Sequence, residues 1–137
     1  MMTIGPIPDA VAATFEIRSW DERPIDQERD EHKVTIATVK KVYHGGISGT
    51  SLTEWVMAYT PGGAATFVGL ERISGAIGGH VGSIVVRQQG TFVDGTARAD
   101  LSVVEHSGTG ELLDARGSGG FVAADPTGSL HLNIAYS

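Results

Sequence analysis

Cysteine is absent from this chain, which removes disulfides, thiolate metal ligands and thiol nucleophiles from consideration. Charge is sparse, at 19% of residues, and aromatic residues make up only 7%. Positive charge is the scarcer sign: Lys and Arg number 10 against 16 Asp and Glu, a net of −6. An acidic chain with no basic stripe repels phosphates, so nucleic acid is excluded as a main partner. No apolar run approaches the roughly 18 residues that a membrane helix needs, and no membrane partner is expected. The opening MMTIGPIPDAV lacks a basic stretch ahead of an apolar one, so it does not read as a secretory signal. The expectation is a soluble, cytoplasmic protein.

Glycine is abundant, with 19 in 137 residues. From Gly45 to Gly95 the glycines recur every few positions, and a second group runs from Gly108 to Gly120. Short runs of Val, Ile, Thr, Phe and Tyr lie between them. Helices do not tolerate glycine at that density, whereas turns between short strands require it. The pattern predicts an all-β fold, with strands near 12–20, 33–43, 50–59, 64–73, 81–93, 96–105, 119–124 and 129–136. A chain of this length makes one domain over residues 1–137, with 1–11 as a flexible N-terminus. Trp20 to His32 (WDERPIDQERDEH) reads as a solvated connection. In the alternative it caps a barrel end and drops Trp20 into the mouth.

Turn lengths predict which side chains share a face. A two-residue turn at Asp94-Gly95 sets Phe92 opposite Ala97, Gly90 opposite Ala99, Gln88 opposite Leu101 and Val86 opposite Val103. A four-residue turn at Ala76–Gly79 sets Ile73 opposite Gly82, Glu71 opposite Ile84 and Phe67 opposite Gln88. Together they predict one apolar face holding Phe67, Ile73, Ile84, Val86, Phe92, Leu101 and Val103, with Glu71 and Gln88 as polar intruders. The strand before it has two registers. A loop of Thr60–Gly63 brings Leu52, Glu54, Val56 and Ala58 to the apolar face; adding Ala64 to the loop brings Trp55, Met57 and Tyr59 instead. The first is favoured, and it turns a Trp55/Met57/Tyr59 row outward as an association surface.

Few motifs carry chemistry. The five histidines, His32, His44, His80, His106 and His131, have no spacing that would hold a metal, so no metal is expected. There is no GxSxG elbow, and Gly108-Thr109-Gly110 lacks the GK[ST] of a phosphate loop, so no nucleotide cofactor is expected. What remains is Glu71 with Gln88. A carboxylate among Phe and Val side chains is costly unless hydrogen-bonded, and desolvation raises its pKa toward proton-shuttling range. In the bland alternative, Glu71 pairs with Arg72 or a backbone amide at a barrel rim.

The segment SGTGELLDARGSGG (107–120) resembles a signature of the bacterial family DUF3224. FEIRSWDE, GTSLTEWVMAY, FVGLERISGAIGGHVGS and the closing Tyr136 extend the resemblance over residues 12–137. His106 and Gln89 depart from the usual pattern. The family is similar in fold to allene oxide cyclase and to plant dirigent proteins. The resemblance therefore implies a small antiparallel eight-stranded barrel, allene oxide cyclase-like, with an apolar lumen, often oligomeric. By analogy it implies a cofactor-free cyclase or isomerase acting on a small hydrophobic molecule in bacterial secondary metabolism. A non-catalytic lipophile-binding barrel is the alternative, and a barrel filled solid by its own side chains is a third. Glu71 and Gln88 are the candidate catalytic pair. Phe67, Ile84, Val86, Phe92 and Leu101 are the candidate lumen, with Glu54, Met57, Tyr59 and Trp20 as further candidates. A homodimer is the expected assembly.

Overall fold

The computed structural model describes residues 9–26 and 32–136. Its strands are β1 (Asp9–Pro24), β2 (Val34–Gly45), β3 (Ile47–Thr60), β4 (Ala64–Ile77), β5 (His80–Val93), β6 (Thr96–Val103), β7 (Thr109–Gly110), β8 (Arg116–Ala124) and β9 (Thr127–Ala135). No α-helix occurs among the described residues. All pairings are antiparallel, in the order β4-β3-β2-β1-β9-β8-β6-β5, and a β4–β5 ladder closes the ring. Eight strands thus form a closed barrel, which leaves no free edge. The two-residue β7 adds only a short pairing to the start of β5.

Register follows turn chemistry. Asp94 and Gly95 both take positive φ, 52° and 78°, as a two-residue hairpin turn requires, and Val86 through Val93 pair with Val103 through Thr96 as predicted. The preceding hairpin turns later than expected, after Ile77 rather than after Gly75. Gly78 and Gly79, at φ 58° and 84°, make a two-residue turn, so Glu71 faces Val86 and Phe67 faces Gly90. The predicted partners were displaced by two residues. A slip of two keeps every side chain on its face, so Glu71, Phe67 and Ile73 still point inward.

At β3 the error is one residue, and the face inverts. Thr60 pairs with Ala64 around a three-residue loop in which Gly62 and Gly63 both hold positive φ. Ser51, Thr53, Trp55 and Met57 are therefore buried, while Leu52, Glu54 and Val56 face outward. Glu54 is not a lumen residue. The Trp55/Met57/Tyr59 row is not an outer association surface, since Trp55 and Met57 are each only 4% exposed.

The segment read as a connection from Trp20 is strand as far as Pro24. Arg18 is a bulge: Ile17 pairs with Lys41, yet Ser19 pairs with Lys40. The extra residue switches parity, so Trp20 and Glu22 continue the side of the strand that Phe15 and Ile17 begin. Residues 27–31 of that segment, and 1–8 of the expected flexible terminus, lie outside the described residues, while 9–11 belong to β1.

The two barrel ends differ. At the end where β3 begins and β4 finishes, Ile47, Ile77, Leu112 and Ile134 are fully buried and fill the lumen. Leu112, from the turn between β7 and β8, acts as a plug there. The other end, where β1 finishes and β2 begins, is open among the described residues.

Candidate functional site

The open end leads into a cavity of about 320 Å³. Its inner surface is aromatic: Phe15, Trp55, Phe67 and Phe121 line it. Trp55 packs on Phe67 at 4.9 Å and on Phe121 at 6.1 Å between ring centroids, and Phe15 meets Phe121 edge-on at 5.8 Å. Gly128, paired with Phe15 across β1 and β9, makes room for that ring, because a Cβ there would lie 2.3 Å from its Cζ. Ile17, Met57, Phe92, Ala97 and Ala123 complete the walls, and Trp20 leans on Trp55 at 5.7 Å.

Polar groups sit at the rim. Trp20 Nε1 donates to Glu22 Oε1 at 3.0 Å, and Thr35 Oγ1 and the Tyr59 hydroxyl donate to Glu22 Oε2 at 2.6 and 2.5 Å. Partial burial pushes the Glu22 carboxyl up, but these three donors and the Lys33 charge outweigh it and hold the pKa below its ordinary value. Glu22 is therefore an anion at neutral pH. Burial, and then Glu22, keep the Tyr59 phenol protonated. The Lys33 ammonium lies 4.5 Å from the centre of the Tyr59 ring.

Beneath the aromatic layer is a buried polar cluster. Lys41 Nζ donates to Glu71 Oε1 at 3.2 Å, and both side chains are fully excluded from solvent. The Tyr43 hydroxyl donates to Glu71 Oε2 at 2.6 Å, and Gln88 Nε2 donates to Glu71 Oε1. Trp55 Nε1 donates to Gln88 Oε1 at 2.6 Å, which fixes the orientation of the amide. Three rings that line the cavity also cover the lysine: Nζ lies 4.4 Å from the centroid of Phe15, 4.9 Å from Phe121 and 5.1 Å from Trp55. Burial pushes the Glu71 carboxyl up, but the Lys41 charge and the surrounding hydroxyl and amide donors bring it below the ordinary value. Burial also lowers the Lys41 ammonium, against the pull of Glu71. Three donors around one carboxylate favour the ionised pair. The Ser51 hydroxyl is near enough to influence Glu71 and Tyr43, yet it has hydrogen-bond geometry to neither, and Thr53 Oγ1 is likewise buried without a partner.

The candidate residues therefore divide between two places. Trp20, Met57, Tyr59, Phe67 and Phe92 line the cavity. Glu71 and Gln88 belong to the buried cluster, out of contact with the cavity except through Trp55. Ile84, Val86 and Leu101 are buried in the filled part of the lumen. The partner of Glu71 is Lys41, not Arg72, which is exposed. Sequence reasoning missed Lys41, Tyr43 and Glu22. A signal for the first was present, because adjacent strand residues point to opposite faces and one of Lys40 and Lys41 had to point inward. Among the described residues no cluster of three His, Asp or Glu side chains could hold a metal ion.

No curated protein matches the chain. A DUF3224 family protein of unknown function from Shewanella oneidensis MR-1, whose crystal structure is known at 1.84 Å resolution, has the same fold. The two are 23% identical, superpose with a TM-score of 0.80, and match over 95% of this chain and 98% of that one. The family model described as "Protein of unknown function (DUF3224)" matches residues 11–136, almost the whole barrel, and the chain belongs to that family.

Proposed function

We propose that this barrel binds a small hydrophobic molecule in its open end. The observation that carries the reading is the cavity of about 320 Å³, walled by aromatic and aliphatic side chains, with a few polar groups gathered at its rim. That volume lies at the lower end of the roughly 300–1,000 Å³ typical of ligand sites, suited to one or two rings. The chain's 2 tryptophans, Trp20 and Trp55, both line the cavity, so intrinsic fluorescence reports its occupancy directly. Titration with a neutral apolar dye such as Nile red should quench or shift that emission and raise the melting temperature. Ala123→Trp, which fills the cavity from its wall, should remove the response while the barrel still folds. Equal dye binding by wild type and Ala123→Trp would overturn the reading.

A second reading keeps the ligand and adds chemistry, as a cofactor-free cyclase or isomerase in bacterial biosynthesis. Its support is the hydrogen-bonded chain from Trp55 through Gln88 to Glu71, which ties the cavity wall to a buried carboxylate. In that case the carboxylates able to touch a substrate are Glu22 and Asp125, of which Glu22, with its network of rim donors, is the catalytic candidate, and Glu71 acts through Trp55 as a positioning residue. Glu22→Gln should then abolish turnover of a bound neutral substrate while leaving its affinity within a few-fold. Unchanged turnover in that variant would discard the catalytic form.

A further inference from the structure

The cavity's charged rim says more about its occupant than its volume does. Among the described residues, Glu22 and Asp125 are the only charged ones lining the cavity, and both are acidic. Glu22 is held ionised by its three donors, and among the described residues Oε1 accepts only from Trp20, which leaves acceptor capacity on that oxygen. Trp20 and Tyr59 meet the carboxylate through their N–H and O–H edges, and Trp55 packs on Trp20 at 5.7 Å, so aromatic rings, whose faces attract positive charge, line the cavity beside it. The Lys41 ammonium below does not oppose this, because Glu71 neutralises it at 3.2 Å.

The molecule already carries out this recognition with a group of its own. The Lys33 ammonium lies over the Tyr59 ring at 4.5 Å, and its charge helps hold Glu22 ionised. We propose that the cavity is selective for a cationic amphiphile: an amine or quaternary ammonium group at Glu22, joined to an apolar body resting on the aromatic floor. This rests on the binding reading above and specifies the ligand class within it. Lys33 is then an internal competitor whose place at the rim the ligand's cation takes over.

Calorimetric titration with phenylbutylammonium, phenylbutanol and phenylbutyrate separates charge from shape. The ammonium should bind about tenfold tighter than the alcohol, with the carboxylate weakest. Glu22→Gln should erase the ammonium's advantage and leave the alcohol unchanged. Lys33→Gln, which leaves the barrel interior untouched, should tighten the ammonium several-fold, so the proposal stays testable if Glu22→Gln fails to fold. Alcohol binding as tight as ammonium binding, or a preference for the carboxylate, overturns the inference while leaving the binding barrel standing. Silence from all three probes overturns both.

Discussion

Lys41 on β2 and Glu71 on β4 meet 3.2 Å apart across the strand that separates them. On that strand, β3, Lys41 pairs with Ser51 and Glu71 with Thr53. Two short side chains leave the gap through which the long lysine passes over to the carboxylate. Removing one partner strands the other charge in a medium that cannot solvate it. Lys41→Met should therefore cost about 3–5 kcal/mol of stability, while the double variant Lys41→Met/Glu71→Gln should recover much of that loss. A urea double-mutant cycle measures the coupling, and strictly additive losses would contradict the pairing.

Acid should weaken the fold through two carboxylates. Glu71 and Glu22 both have folded pKa values below their ordinary 4.5. Below that value the unfolded chain takes up protons that the folded chain still refuses, so stability falls with pH. Their contribution is complete above about pH 5 and disappears as the pH drops through the folded values. Urea midpoints for wild type should decline from pH 5 downward, and Glu71→Gln should show a shallower decline. Parallel curves for the two proteins would mean that Glu71 has no depressed pKa to lose.

The turn between β4 and β5 distinguishes two adjacent glycines. Both hold positive φ, but a Cβ on Gly78 would lie 2.2 Å from the Tyr136 hydroxyl, whereas one on Gly79 meets nothing within 4 Å. Gly78→Ala combines backbone strain with displacement of a phenol that donates to the Ile77 carbonyl at 3.1 Å, and should cost about 1–3 kcal/mol. Gly79→Asn, a residue that accepts this backbone conformation, should cost under about 1 kcal/mol. Thermal unfolding of the two variants gives the order, and equal losses would count against the turn geometry.

How much of this was legible depended on how each strand encodes its faces. β5 and β6 alternate clearly, and an Asp-Gly turn fixes their register, so Val86, Gln88 and Leu101 could be assigned to one face from the sequence. β3 is apolar on both faces, with Leu52 and Val56 on one and Trp55 and Met57 on the other, so its parity rested on a loop length. There one residue decided everything, and that residue was Thr60. Glu22 was hidden for a different reason: the bulge at Arg18 resets the parity of β1, and no local composition marks it. Glu71 was legible as an inward carboxylate. Its partner was not, because Lys41 lies 30 residues away in the chain and two strands away in the sheet.

The aromatic layer should act as a lid over the lysine, and amine chemistry can test it. The chain has three lysines: Lys40 is exposed, Lys33 lies partly buried at the rim, and Lys41 is fully enclosed. Reductive methylation of native protein should modify Lys40 and Lys33 and spare Lys41, whose covering rings include Phe121 at 4.9 Å. Phe121→Ala opens the floor directly above Nζ, and should expose Lys41 to the reagent at a destabilisation of about 3–5 kcal/mol. Phe67→Ala removes a ring that packs on Trp55 and Phe121, so it enlarges the cavity at comparable cost but should leave Lys41 protected. The contrast matters because general loosening would label Lys41 in both variants alike. Peptide mapping by mass spectrometry reads all three sites at once. Equal labelling of Lys41 in the two variants, or its modification in wild type at the rate of Lys40, would mean that the cavity and the buried ion pair are not separated by these rings.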